Sequence, residues 1–258
     1  MALFAISLLL VLGYMSLWFM LAVIKKDNSI ADIAWGLGFV LLAWFSFYFT
    51  DVATARQLVV SVCITVWAVR LSGYIFQRNI AKIGEDFRYA AWRKEWGKHW
   101  LWRSYLQVFL LQGFFMLLIA LPILLAANQP KPGWKVYNNI GLFTFVFGFL
   151  FEAIADFQLA LFKSEEQNKG KIMRTGLWRY SRHPNYFGEA LVWWGVFLMV
   201  QPLQYWYLAL VSPVLITYLL VGVSGIPMLE RKYKGNPEFE EYAAQTSAFI
   251  PMPVKRRR

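Results

Sequence analysis

Seven long apolar runs constrain the fold of this 258-residue sequence more than any other feature. Hydrophobic residues make up 59% of the chain, and charged residues make up only 16%. A helix needs about 20 predominantly apolar residues to cross a bilayer. The runs cover residues 2–24, 29–49, 57–76, 103–127, 137–161, 184–200 and 203–226. The sequence therefore predicts an all-α, polytopic membrane protein, a helical bundle of about seven transmembrane helices that forms one domain over residues 1–258.

Lysine and arginine are distributed unevenly among the segments that join these runs. Most of the 26 such residues lie at Lys25–Lys26, Arg78–Arg103, Lys163–Arg182 and Arg231–Arg258. Cytoplasmic loops carry an excess of Lys and Arg, so this alternation predicts an N-terminus outside and a cytoplasmic C-terminus. The net charge of +11 then reflects topology and contact with membrane lipid. We expect no nucleic-acid partner, because no recognition fold is visible in the sequence.

The stretch Thr175–Glu189 is a polar segment that leads into an apolar run. Pro184 suits the first turn of a helix, and the N–H groups of such a turn favour an incoming anion. The pattern indicates a site for a large anionic ligand at the membrane entrance. The alternative is a basic juxtamembrane loop that only fixes topology. The side chains considered are Arg179, Tyr180, Arg182, His183, Asn185, Tyr186 and Glu189.

Two carboxylates lie in the apolar run before this stretch. Glu152, Asp156 and Lys163 fall on one helical face. Buried acids in a membrane are costly unless cations or hydrogen-bond donors meet them. Ribose hydroxyls, an amide or the nearby arginines are suitable partners. A metal is not expected, because helical metal sites use histidines at helical spacing and the chain has only His99 and His183.

Polar groups also interrupt the second and third runs. Asp32 lies about one turn into the second run, where an ionisable group indicates either a functional site or an acid that stabilises the helix N-terminus. Arg70 and Tyr74 share a face of the third run. Arg70 either reaches the cytoplasmic surface or pairs with Asp32, and Tyr74 is a candidate proton donor.

The remaining chemistry indicates a cofactor-dependent reaction on a lipophilic molecule. The chain has neither a Gly-x-Gly-x-x-Gly motif after a strand nor a Walker loop, so a soluble-type nucleotide fold is not expected. A basic entrance that carries an amide and carboxylates suits a phosphate-bearing cofactor whose reactive end is buried beside the substrate.

Three motifs extend this interpretation. GLWRYSRHPNYFGE, with the preceding Glu152/Asp156 helix, DIAWG and the closing SAFIP, resembles the steroid 5α-reductase superfamily, most closely its bacterial branch of membrane proteins. The Arg-His-Pro-x-Tyr part is shared with isoprenylcysteine carboxyl methyltransferases. The resemblance implies seven spans, NADPH bound from the cytoplasmic side of the bacterial inner membrane, and hydride transfer to a carbon–carbon double bond conjugated to a carbonyl.

Site residues follow from this resemblance position by position. Asn185 and Glu189 match the cofactor motif of the reductases, and Asp156 matches the acid of the preceding helix. Lys163 and Lys171 stand where arginines meet cofactor phosphates. The predicted cofactor half is about residues 137–258. The predicted cofactor-binding residues are Glu152, Asp156, Lys163, Lys171, Arg174, Arg179, Tyr180, Arg182, His183, Asn185, Tyr186, Glu189, Glu230 and Tyr242, and the predicted catalytic residues are Asp32 and Tyr74.

The chain also departs from the reductase pattern. Glu152 replaces an asparagine one turn before the acid. The Gln-Glu pair that grips a steroid ketone is absent from the second run, where Asp32 is the nearest substitute. Glu230 lies near the position of a histidine in the last helix. The resemblance therefore covers the cofactor site better than the substrate site.

Three functions remain open from the sequence. The first is an NADPH-dependent membrane reductase of a lipophilic, steroid-like or enoyl lipid substrate. The second is an S-adenosylmethionine-dependent membrane methyltransferase with His183, Tyr186 and Glu230 at the cofactor. The third is a non-catalytic scaffold or lipid-binding protein.

Overall fold

The computed structural model describes residues 2–50, 53–80, 84–127, 133–201 and 203–254, and within these ranges it contains helices and no strand. The all-α prediction is therefore confirmed. The helices divide into two compact units. One comprises the described parts of residues 1–134 and 202–211, and the other comprises those of residues 135–201 and 212–258. The predicted cofactor half overlaps the second unit, and the single domain over residues 1–258 stays a prediction.

The first unit is built on three long helices followed by shorter ones. A π-helical segment at Ser104–Leu110 joins α5 to α6, and a 3₁₀-helix lies at Trp206–Leu210. Gly36 lets α2 and α3 approach closely, because a Cβ at this position would lie 2.3 Å from Ser72 Oγ. Trp67 and Phe39 are fully buried in this contact. The helices are α1 Ala2–Lys25, α2 Ile30–Tyr48, α3 Ala55–Ile80, α4 Phe87–Trp96, α5 Trp100–Arg103, α6 Leu111–Ile119 and α7 Leu121–Ala127.

The second unit is built on one antiparallel pair of helices. Residues 165–183 connect this pair and include 3₁₀ turns at Glu166–Asn168 and Gly176–Arg179. A π-helical segment at Leu219–Val223 and Gly225 separate two of the later helices. The helices are α8 Val136–Ser164, α9 Pro184–Met199, α10 Val211–Tyr218, α11 Ile226–Arg231 and α12 Pro237–Gln245.

Six helical stretches of the described chain are long and apolar enough to cross a membrane. They make this an integral membrane protein, because such stretches need the apolar solvent of a bilayer. The sixth predicted run, residues 184–200, forms α9, whose 16 residues are fewer than the about 20 that span a bilayer. The stretches are Ala2–Lys25, Ile30–Tyr48, Ala55–Ile80, Phe87–Ile119, Val136–Ser164 and Trp206–Arg231.

The fourth stretch differs from its predicted bounds of 103–127. Helical structure begins earlier, at Phe87, and the long stretch ends at Ile119. A separate helix, α7, follows after Ala120. Pro122 explains the break, because proline has no N–H to donate and its ring clashes with the preceding turn.

Candidate functional site

Four glycines form the contact between α8 and α9. They are Gly141 and Gly148 on α8 and Gly188 and Gly195 on α9. A Cβ on Gly188 would lie 2.5 Å from the backbone nitrogen of Glu152, and one on Gly195 would lie 2.4 Å from that of Phe145. Small residues at such positions let two helix backbones touch. The pairing fixes how the two helices are aligned. It therefore determines which polar side chains lie opposite each other between the C-terminal half of α8 and the start of α9.

Asp156 of α8 and Asn185 of α9 meet in this region, and together with Glu152 and Glu189 on the same two helices we call them the carboxylate cluster. Glu152 and Asp156 are 2% and 4% exposed, and Glu189 is also buried. Asn185 Nδ2 donates a hydrogen bond of 3.1 Å to Asp156 Oδ1. The structure thus brings two of the predicted cofactor-binding residues, Asp156 and Asn185, into direct contact and places Glu152 and Glu189 on the same two packed helices.

Asn185 keeps one polar atom available. Its side-chain carbonyl oxygen is buried and has no hydrogen-bond partner among the described residues. A buried acceptor without a donor costs free energy, so such atoms in folded proteins are usually met by water or a ligand. The cluster can therefore accept a hydrogen bond from a group with an N–H or O–H donor.

A second polar group lies just before α9. Arg182 forms a two-pronged ion pair with Glu230, in which Nε and Nη2 donate to the two carboxylate oxygens at 2.7 and 3.1 Å. His183 Nε2 lies 3.0 Å from Glu230 Oε1, and the His183 ring stacks on Tyr186 at a centroid distance of 5.4 Å. Gly225 interrupts the helical chain and is the N-cap of α11, the short helix that carries Glu230.

Tyr242 links α12 to the segment that precedes α9. Its hydroxyl donates to the backbone oxygens of Trp178 and Ser181. The Trp178 indole in turn donates to the backbone oxygen of Ala155 on α8 at 3.0 Å. Burial raises the pKa of the Tyr242 hydroxyl well above its ordinary value, so it remains a donor at neutral pH.

A surface pocket of about 390 Å³ lies beside Tyr242, and we call it the basic pocket. Its size is within the range of small-molecule sites. Arg174 is held by carboxylates, because it lies 3.5 Å from both Glu238 and Glu241, while its Nε has no hydrogen-bond partner among the described residues. The pocket can hold an anionic group of moderate size. Its lining residues are Arg174, Thr175, Gly176, Arg179, Tyr242, Gln245, Thr246 and Val254.

The other predicted residues of this half lie on the surface. Lys163 lies in the last turn of α8 and is exposed, as is Lys171 in the segment that follows. Neither is among the described residues that line the basic pocket. Tyr180 is also exposed, and its backbone oxygen accepts a hydrogen bond of 2.9 Å from the Met252 amide. The cations that line the basic pocket are therefore Arg174 and Arg179, rather than the two lysines predicted to meet phosphates.

Asp32 belongs to the first unit, where its carboxylate contacts side chains that were not predicted from the sequence. The Arg88 guanidinium donates to Asp32 Oδ2 at 2.6 Å, and the Tyr89 hydroxyl donates to Oδ1 at 2.5 Å. Gln112 Nε2 lies 3.3 Å from the Tyr89 hydroxyl. Arg78 is 3.8 Å from Asp32. Asp32 is thus the centre of a hydrogen-bonded network, and its catalytic role stays a prediction.

One sequence signal could have located the helix that carries Arg88 and Tyr89. Asp86 accepts a hydrogen bond from the Arg88 amide as the N-cap of α4, which fixes the direction of the first turn. Aspartate is a favoured N-cap residue, so Asp86 is a recognisable helix start. Pairing with Asp32 spans 56 residues, however, and sequence spacing does not reveal it. Tyr74 lies on α3 and is partly exposed.

Comparison with known proteins places these features in a family. A family model described as "Protein of unknown function (DUF1295)" matches residues 18–246. The chain belongs to this family. The matched range contains every predicted site residue, from Asp32 to Tyr242. The family description itself states no activity.

One relative is an uncharacterized protein, C594.04c, of Schizosaccharomyces pombe. It is 27% identical over 203 residues, which are 67% of this chain and 57% of that protein. The chain therefore spans less than two thirds of the length of this relative. No solved structure matches the chain.

Proposed function

We propose that this integral membrane protein is an NADPH-dependent reductase of the steroid 5α-reductase type. It would transfer a hydride to a carbon–carbon double bond conjugated to a carbonyl in a lipophilic substrate. The observation that supports the proposal most is the carboxylate cluster, in which Asn185 donates to the buried Asp156 and retains an unpartnered carbonyl oxygen. The sequence resemblance and the membrane setting agree with it.

The residues present fit such a cofactor. The free acceptor of Asn185 suits the carboxamide N–H of a nicotinamide, and the buried acids suit ribose hydroxyls as hydrogen-bond donors. Arg174 and Arg179 line a pocket suited to a phosphate, for which arginine is a good partner. When bound, NADPH would supply the hydride. The protein's own contribution would be to hold and orient it and to exclude water.

A proton must reach the substrate carbonyl oxygen in the same reaction, and we retain Asp32 and Tyr74 for this step. Both Asp32 oxygens already accept hydrogen bonds, from Arg88 and Tyr89. A proton is more directly supplied by a hydroxyl, so we assign the donor role to Tyr74 and an orienting role to Asp32. The distribution of Lys and Arg favours a cofactor that enters from the cytoplasmic side of a bacterial inner membrane.

A methyltransferase that uses S-adenosylmethionine is the second candidate. The observation in its favour is that His183 contacts both Tyr186 and Glu230, the other two residues predicted for that cofactor. Arg182 occupies both Glu230 oxygens, however, which leaves less of this carboxylate for a ligand. The carboxylate cluster has no assigned role in this alternative, and we therefore rank it below the reductase.

Thermal stabilisation of the detergent-purified protein separates these candidates. NADPH, NADH and S-adenosylmethionine are added in parallel. A ligand at about 100 times its dissociation constant stabilises the native state by about 2.7 kcal/mol. We expect the unfolding temperature to rise with NADPH. A rise with S-adenosylmethionine alone would replace the reductase by the methyltransferase. No rise with any of the three would favour a scaffold or lipid-binding role.

A further inference from the structure

Residues 246–252, which we call the C-terminal strap, run beside the residues that lead into α9. The Arg182 amide donates to the backbone oxygen of Ser247 at 2.8 Å. The Met252 amide donates to the backbone oxygen of Tyr180 at 2.9 Å. Two backbone hydrogen bonds, one at each end, therefore hold the strap along this segment.

Side chains add to this attachment at the centre of the strap. Ser181 Oγ donates to the backbone oxygen of Phe249 at 2.8 Å. The Phe249 ring packs on Phe187 of α9 at a centroid distance of 5.7 Å, and Phe187 packs on Phe151 of α8 at 5.5 Å. The strap is thus in contact with the helix pair that carries the carboxylate cluster.

Arg182 joins the strap to two helices through a single guanidinium group. Its Nη1 donates to the backbone oxygens of Ala243, in the last turn of α12, and of Thr246, in the strap, at 3.0 and 2.6 Å. Its Nε and Nη2 donate to Glu230 of α11. Arginine suits this position because its planar group directs several donors at fixed angles. Few donors of Arg182 remain for a ligand.

The same residues shape the basic pocket. Tyr242 and Gln245 of α12 and Thr246 of the strap form part of its lining. Arg182 is not among the lining residues, although it donates to the carbonyl of Thr246. The position of this wall therefore depends on Arg182 without contact between Arg182 and the space inside.

We infer that Arg182 and Glu230 form a latch that holds the C-terminal strap in place, and that they are positioning residues for the basic pocket rather than contacts to its ligand. Both residues were predicted to bind the cofactor, whereas in the structure their side chains bind each other and, through Arg182, the strap. The role of Arg182 and Glu230 does not depend on the proposed function. Only the identity of the ligand that binds in the basic pocket does.

Hydrogen–deuterium exchange of the full chain in detergent tests the latch, without any nucleotide present. The reporters are the amides of Met252 and residue 182, which form the strap's backbone hydrogen bonds. Arg182→Lys keeps the charge but loses the planar fork, and Glu230→Gln keeps the size but loses the charge. We expect either substitution to raise exchange at these amides by about tenfold or more, because hydrogen bonds to charged groups are among the stronger ones.

Matched controls keep the comparison specific. Arg231→Lys changes an exposed arginine next to Glu230, and Glu166→Gln changes an exposed glutamate in a surface ion pair with Lys169. Neither should alter exchange in the strap. The amides of α8 report on the folding of the unit and should remain slow in all four variants.

Three results would overturn the latch. Unchanged strap exchange in both Arg182→Lys and Glu230→Gln would show that the ion pair does not hold the strap. A change in one variant alone would contradict a latch, which needs both partners. A rise in α8 equal to that in the strap would make the ion pair a general support of the fold. Because no nucleotide is added, failure of NADPH to bind would leave this test unaffected.

Discussion

The side chains predicted to meet a cofactor differ in how much of their hydrogen-bonding capacity the protein already uses. Arg182 and Tyr242 donate to backbone oxygens in the second unit, and Glu230 accepts from Arg182. Asn185 instead has a buried carbonyl oxygen without a partner among the described residues. At this scale, Asn185 and its neighbour Asp156 are better candidates for ligand contact than the arginine–glutamate pair.

Asn185→Ala should destabilise the protein even without ligand. The substitution removes the donor to Asp156, whose carboxylate stays buried. We expect the free energy of unfolding to fall by about 1–3 kcal/mol. Chemical denaturation in detergent measures it. Gln167→Ala, which removes an exposed amide in the same unit, is the control and should change little. Equal stability of Asn185→Ala and the wild type would contradict the Asn185–Asp156 contact.

Tyr242 should make stability depend on pH at the alkaline end. Burial raises its folded-state pKa, while an unfolded tyrosine has a pKa of about 10. The contribution is therefore complete below about pH 10 and is lost as the pH rises towards the folded-state pKa. Tyr242→Phe should flatten this loss in unfolding measurements between neutral and alkaline pH. Tyr180→Phe, at an exposed tyrosine, should leave it unchanged, and an identical alkaline profile in Tyr242→Phe would refute the assignment.

Some of these residues could be predicted from the sequence, and others could not. The spacing of Glu152 and Asp156 placed both on one helical face, because helical periodicity is local. The contact of Arg182 with Glu230 joins residues 48 positions apart and depends on the start of α11 after Gly225. No local pattern reveals such a contact. Asp32 with Arg88 is a similar case.

Among the helices, the glycine contact between α8 and α9 decides the geometry of the site. It brings the two backbones together and so places the polar ends of the helices side by side. Asn138 supports the other end of α9. Its Nδ2 donates to the backbone oxygens of Met199 and Gln201, at 2.8 and 2.7 Å, where the helix leaves carbonyls unpaired.

Gly188→Ala should disturb the helix pair. The added Cβ would lie 2.5 Å from a backbone nitrogen of α8, which cannot move aside as a side chain can. Overpacking of this kind costs about 1–3 kcal/mol of stability. Gly73→Ala is the control, because a Cβ there meets nothing within 4 Å. Thermal unfolding compares the two variants, and a Gly188→Ala protein as stable as the control would contradict the close contact.

Asn138→Ala should also destabilise the second unit. The side chain is fully buried, and its loss leaves carbonyl oxygens at the end of α9 without a donor. We expect a loss of about 1–3 kcal/mol in the free energy of unfolding. Asn139→Ala, one residue along and exposed, is the matched control. A similar effect of both substitutions would show that the cap contributes nothing specific.

Sequence patterns predicted the helices better than their ends. Long apolar runs give long helices, because a bilayer leaves few alternatives for the backbone. Pro122 and the glycine contact modify this rule locally, since one ends the fourth long stretch and the other holds the short helix α9 against α8. Such effects depend on neighbours that are distant in the sequence.

At the scale of the whole molecule, the charge distribution makes a topological prediction. We expect residue 133 to be outside and residue 166 to be cytoplasmic, because Lys and Arg are concentrated around the second. Single cysteines at Gly133 and Glu166, in a Cys63→Ala background, can be labelled in intact cells with a membrane-impermeant maleimide. The first should react at once and the second only after lysis. The opposite pattern would reverse the orientation.

Equilibrium titration with NADPH tests whether the carboxylate cluster binds this cofactor. The fluorescence of the reduced nicotinamide is followed on addition of purified wild-type protein, Asp156→Asn and Asn185→Ala. The account predicts saturable binding to the wild type and a loss of affinity of about tenfold or more in both variants. No binding to the wild type, or unchanged affinity in both variants, would contradict it.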